Sequence, residues 1–215
     1  MKTINVSHDV CELFARSLQQ NSDKLDIIDW QINIEILKKL YNINAKTPQT
    51  IRGHVTDSEV RDQVTKILEN LGFKNGDGQG WMMYSRAFLP TALHVDIPMD
   101  NTKTDGYTII IPLTNSNKIK TVVFKERTNY PILDYWIEKQ DWDSREKVNT
   151  VSVDYNMSHG WWRRPDITDR MELDGIANWQ IGTAFCFRRS QIHGSTNFTH
   201  AGFPFKDYIL VQTED

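Results

Sequence analysis

The stretch TALHVDIPMD, Thr91 to Asp100, carries a histidine and an aspartate two positions apart in a run that otherwise reads as a β-strand. Side chains alternate across a strand, so His94 and Asp96 project from one face and Val95 from the other. An imidazole and a carboxylate on one strand face are either an ordinary polar pair or two thirds of a metal site. What lies around them in the chain decides between the two.

Beyond Trp81 the sequence is a series of short runs rich in β-branched and aromatic residues: WMMYSRAF, ALHVDI, YTIIIPLT, IKTVVFKE, NWQIGTAFCF, QIHGSTN and KDYILVQT. Turn residues separate them, and no helix-length periodic segment alternates with them. That excludes a βαβ sheet and points to a sandwich, barrel or jelly roll. The first third differs. HDVCELFARSLQQ, LDIIDWQINIEILKKLY and TDSEVRDQVTKILENLG place apolar residues three and four apart, as amphipathic helices do. Thr56 and Glu59 stand at capping-box spacing, Gly72 is the stop signal, and KNGDGQG reads as a loop.

The 215 residues fit one domain, 39% hydrophobic and 25% charged, as in water-soluble globular chains. No apolar run approaches the roughly 20 residues that span a bilayer, and the first residues lack a secretory h-region. Cys11 and Cys186 make neither a disulfide framework nor a metal motif, so a cytoplasmic setting is expected. The net charge of −3 argues against nucleic acid as a partner.

A metal at His94 and Asp96 needs a third ligand. His54, His159, His193 and His200 are the candidates, with His8 set aside near the chain start. His193 has the best surroundings: GTAFCFRRSQIHGSTNF reads as turn, strand, short loop, strand, with Gly182 opening the first strand and His193 on the second. The last strand opens on Lys206, and antiparallel neighbours would bring it back beside His193. No strand pattern flanks His159, His200 lies in a Gly/Pro/Thr-rich turn, and His54 precedes a helix.

His94-x-Asp96, a distant His193-Gly194-Ser195 and a basic residue opening the last strand resemble the Fe(II)/2-oxoglutarate-dependent dioxygenases, over roughly residues 81–215. The HGST-N run is similar to phytanoyl-CoA-hydroxylase-like members, and WMMYSRAFLPTALHVD to prolyl-4-hydroxylase-like members, which carry a tyrosine where Tyr84 stands. The resemblance implies a mainly β fold with N-terminal helices: a double-stranded β-helix (jelly-roll, cupin-like) core over 81–215, with residues 1–80 packed on it as buttressing helices. It implies Fe(II) held by His94, Asp96 and His193, with 2-oxoglutarate and O2 as cosubstrates and ascorbate as a candidate reductant. Two imidazoles and one carboxylate leave three positions open on an octahedral metal. Oxidative decarboxylation of 2-oxoglutarate to succinate and CO2 then accompanies oxidation of the substrate. Lys206 is expected to hold the far carboxylate, with Arg188 or Arg189 as fallback. Many members have arginine there, and a serine or threonine two residues on, where this chain has Tyr208. Tyr84 either donates a hydrogen bond to 2-oxoglutarate or is a core aromatic, while Tyr208, Ser195 and Asn197 are candidates to line the cosubstrate pocket. Asp96 excludes the halogenase pattern, in which a small residue replaces the carboxylate.

Residues 127–177 form an insert rich in Trp, Tyr, Asp and Arg. Its Trp161, Trp162 and Arg163 are candidate substrate contacts under a lid reading; the alternative is a helical decoration with its own small core. A hydroxylase of a peptide side chain or small metabolite is the leading expectation. A cupin-like metal enzyme not using 2-oxoglutarate, or a non-catalytic β-sandwich binding module, are the alternatives.

Overall fold

The computed structural model describes residues 1–27, 50–74, 81–88, 91, 93–96, 106–129, 141, 144–146, 148, 168–196, 198–199 and 201–213. These residues form ten strands and two α-helices. β1 (Lys2–Asn5), β2 (Asp26–Ile27), β3 (Thr50–His54), β4 (Trp81–Ala87), β5 (Tyr107–Pro112), β8 (Thr183–Arg188) and β10 (Lys206–Gln212) make a seven-stranded sheet in the order β1-β8-β5-β10-β4-β3-β2. β7 (Leu173–Trp179), β6 (Ser116–Arg127) and β9 (Gln191–Ser195) make a three-stranded sheet in the order β7-β6-β9. Every pairing is antiparallel. Most neighbours in the sheets are distant in sequence, as in a jelly roll.

Two apolar cores follow from the period-2 alternation of the strands. On β10, Tyr208 and Leu210 point between the sheets, where they meet Ile119, Val123, Trp179, Phe185, Phe187 and Phe198. Ile209 and Val211 point the other way, onto the helices. Helix α1 (His8–Gln20) turns Cys11, Phe14, Ser17 and Leu18 inward, and α2 (Ser58–Leu71) turns Val60, Val64, Ile67, Leu68 and Leu71 inward. These spacings of three and four place one apolar stripe on each helix against the outer face of the large sheet. The N-terminal helices are thus the buttress that the sequence leads one to expect.

Three local expectations differ. The cap of α2 is Asp57, not Thr56: its carboxylate accepts the Glu59 and Val60 amides at 3.0 and 3.4 Å. A carboxylate at this position satisfies two orphan N–H groups and also meets the positive end of the helix dipole. Gly72 does end the helix, at φ 96°, where a side chain would be strained. The helix expected over 25–41 falls almost wholly on residues 28–49, outside the described residues, and its first described residues, Asp26 and Ile27, form β2 instead. NWQIGTAFCF is two strands, with Gly182 at φ 95° in the turn between them. β7 begins at Leu173, inside the stretch read as insert. No helix among the described residues is long and apolar enough to cross a membrane.

Candidate metal centre

His193 sits on β9, paired with Val123 of β6, and its ring lies 4.4 Å from that of Phe187, so it faces the space between the sheets. His94 and Asp96 are not in a strand as the alternating pattern suggests. Only His94 is paired, through an isolated bridge in which His94 and His193 exchange both backbone hydrogen bonds at 3.0 Å. Asp96 is held by the β8–β9 turn instead. Its amide donates to the Arg189 carbonyl at 2.8 Å, and Arg189 Nε donates to the Asp96 carbonyl at 3.0 Å. A two-residue offset along extended chain still brings both side chains to the His193 side.

The three side chains converge, with ligand atoms all within 4.8 Å of one another. His94 Nε2 lies 3.5 Å from Asp96 Oδ1, and His193 Nε2 lies 3.4 Å from Asp96 Oδ2. Adjacent ligands about 2.1 Å from a transition metal stand about 3 Å apart on an octahedron. Adjustments of a few tenths of an ångström would therefore seat an ion. Supporting bonds orient the donors. His193 Nδ1 is 2.9 Å from the Gln191 carbonyl, which can only accept, so the proton sits on Nδ1 and Nε2 keeps its lone pair. Thr108 on β5 donates its hydroxyl to Asp96 Oδ2 at 2.6 Å. Burial pushes the Asp96 carboxyl up, but the charges and hydrogen bonds of His193 and His94 outweigh it and hold it well below the usual carboxylate range. Burial, aided by His94, pushes His193 below its ordinary value against the pull of Asp96. A charged carboxylate and a neutral imidazole are the forms that bind a metal.

Lys206 faces the same inter-sheet space, but not by the route expected. β10 lies between β5 and β4 in the large sheet, whereas β9 pairs with β6 in the small one, so Lys206 and His193 are not ladder neighbours. Lys206 reaches across the sandwich instead. Its Nζ stands 3.9 Å from the centroid of Trp179, 5.3 Å from Phe198 and 5.9 Å from Tyr208. Trp179 is fixed by its own bond from Nε1 to Thr121 Oγ1, and Thr121 pairs with Ser195, one same-face step from His193. Lys206 is 4% exposed, and burial alone pushes its ammonium down to about 7. No carboxylate among the described residues offsets that burial. A cation enclosed by aromatic rings and lacking an anion fits the far carboxylate of 2-oxoglutarate.

The remaining candidates separate. Tyr208 and Ser195 face the inter-sheet space, Tyr208 with its ring 5.3 Å from Trp179. Tyr84 does not: it belongs to the helix-side core, beside Ser17 and Asp57. Cosubstrate contact by Tyr84 is therefore corrected to the core-aromatic reading, because strand alternation turns it away from the metal. Arg188 lies over the Tyr107 ring at 4.1 Å, and Arg189 serves as the clamp on Asp96. His54, at the end of β3, is exposed and faces the ring of Trp81. Asn197, His159, His200, Trp161, Trp162 and Arg163 fall outside the described residues. Sequence reasoning missed Thr108, whose signal was a single hydroxyl at an inward position of the apolar run YTIIIP. It also missed Trp179, whose role arises only across the two sheets. A separate polar groove of about 810 Å³, lined by residues including Asn115, Lys118, Asn178, Gln180 and Phe203, contains none of the triad.

No protein-family model and no curated protein matches the chain. Solved structures do. A Pseudomonas putida prolyl-4-hydroxylase aligns at 9% identity over 99% of this chain and 91% of its own, with a TM-score of 0.50. The non-heme α-ketoglutarate-dependent carbocyclase SnoK from nogalamycin biosynthesis aligns at 14% identity over 99% and 78%, with a TM-score of 0.58. The epimerase SnoN from the same biosynthesis aligns at 9% identity over 99% and 78%, with a TM-score of 0.54. The fold is thus the double-stranded β-helix that these 2-oxoglutarate-dependent oxygenases share.

Proposed function

We propose that the protein is an Fe(II)- and 2-oxoglutarate-dependent oxygenase. The observation that carries this reading is one inter-sheet cavity wall bearing His94, Asp96 and His193 in metal-ligand geometry, together with a buried Lys206 that has no counter-charge. His94, Asp96 and His193 would hold the iron on one face and leave the opposite face for cosubstrate and oxygen. Bound iron and 2-oxoglutarate supply the oxidising chemistry, releasing succinate and CO2. The chain's own residues hold and orient: Gln191 and Thr108 fix His193 and Asp96, and Arg189 anchors the backbone of Asp96. Lys206 positions the far carboxylate in a dry aromatic pocket where the charge interaction is strong.

The substrate is a small metabolite or a peptide side chain. The fold neighbours include both a prolyl hydroxylase and enzymes of an antibiotic pathway that close or epimerise rings. Hydroxylation is therefore one of several outcomes open to this architecture. A cupin-like enzyme that ignores 2-oxoglutarate would have no use for Lys206 without a counter-charge. The test is aerobic turnover: protein with Fe(II), 2-oxoglutarate and ascorbate, with succinate measured alone and across panels of peptides and small metabolites. Succinate from the wild type and none from Asp96→Ala supports the reading. Metal binding without any 2-oxoglutarate consumption under all panels argues for the cupin alternative.

A further inference from the structure

The large sheet carries a second polar group without a partner. Ser85 on β4 is 0% exposed, and its hydroxyl has no hydrogen-bond partner in the structure. Buried hydroxyls are nearly always paired, so an orphan needs an explanation. Its position supplies one. Met82 and Tyr84 on β4 face the helices, while Ala87 faces the space between the sheets. Alternation places Ser85 on the Ala87 side. Register places it opposite Tyr208, with Lys206 opposite Ala87. Ser85 and Lys206 are therefore diagonal neighbours on one face of adjacent strands, within reach of a long side chain. One is a hydroxyl with nothing to bond, the other an ammonium with nothing to neutralise it. A single carboxylate has the two acceptor oxygens that would satisfy both.

We infer that Ser85 donates to the far carboxylate of 2-oxoglutarate together with Lys206, and so sets the preference for a dicarboxylic 2-oxo acid. The inference rests on the proposed oxygenase function and refines its cosubstrate site. It moves the hydroxyl of that site one residue along β4 from Tyr84. It also gives this chain a hydroxyl contributed from a neighbouring strand, where Tyr208 occupies the position two beyond the lysine.

The experiment is an anaerobic titration of the Fe(II)-loaded protein with 2-oxoglutarate and, separately, with 2-oxopentanoate, which lacks the far carboxylate. The visible charge-transfer band of the chelated 2-oxo acid is followed in wild type, Ser85→Ala and Ser85→Cys. Cysteine keeps the volume and loses the strong donor, which guards against a packing defect. Both variants should bind Fe(II) as the wild type does and need about tenfold or more 2-oxoglutarate to develop the band, with 2-oxopentanoate binding unchanged. The metal-free variants should melt no lower than the wild type, since an unpaired hydroxyl has been removed. Variants that bind 2-oxoglutarate within twofold of wild type overturn the role of Ser85 alone. A wild type that shows no band with either 2-oxo acid overturns the function on which that role rests.

Discussion

Replacing Lys206 by Met should make the metal-free protein more stable while abolishing its use of 2-oxoglutarate. Burial pushes Lys206 from 10.5 down to about 7, and no anion offsets it. A shift of that size corresponds to a cost of about 5 kcal/mol for keeping the charge in the folded state below pH 7. The rings of Trp179 and Phe198 return about 2 kcal/mol through cation–π attraction. Desolvation wins, so the methionine variant should gain about 3 kcal/mol at pH 6 by these magnitudes. The sign with pH follows from proton counting. Between about 7 and 10.5 the unfolded chain holds the lysine proton and the folded chain has released it, so wild-type stability rises with pH across that window. Urea denaturation of both proteins at pH 6 and pH 9 measures this directly. The advantage of Lys206→Met should be large at pH 6 and narrower at pH 9. A variant no more stable than wild type at pH 6 refutes the premise that an unneutralised cation is buried there.

Thr108→Val, which keeps shape and β-branching but loses the donor to Asp96, should weaken metal binding by about 10- to 100-fold, whereas Thr108→Ser should retain it; metal titration by calorimetry checks both. Tyr84→Phe should leave 2-oxoglutarate affinity unchanged, because Tyr84 lies on the helix side of the large sheet; the same band titration reads it. Asp57→Ala should cost about 1 kcal/mol of stability without altering metal affinity, since it removes the cap of α2 and a bond from Ser17 at a distance from the site.

The legible parts of this sequence were those governed by short-range periodicity. The 3.6-residue stripes of α1 and α2 and the alternation in β4, β5, β8, β9 and β10 could be read directly, and so could the shared face of His94 and Asp96. Long-range pairing could not. Lys206 looked like a ladder neighbour of His193, but the jelly-roll order puts β10 and β9 in different sheets, so the two meet across a core. Face assignment on β4 was also hidden. WMMYSRA has large apolar residues on both faces, because one side packs on helices and the other on the second sheet, so nothing in the pattern marks Ser85 rather than Tyr84 as the inward residue. The HVD segment resembled a strand because extended backbone suits it, yet its support comes from the bridge to His193, Arg189 and Thr108. None of these contacts leaves a local signature.

The most direct test of the central claim is an anaerobic addition of Fe(II) and then 2-oxoglutarate to metal-free protein, with His193→Ala alongside. A visible charge-transfer band in the wild type, absent from the variant, is the predicted result, because it requires a metal on this triad and a chelated 2-oxo acid together. A wild type that binds no Fe(II), or a variant that gives the same band, would contradict the assignment of His94, Asp96 and His193 as the iron centre.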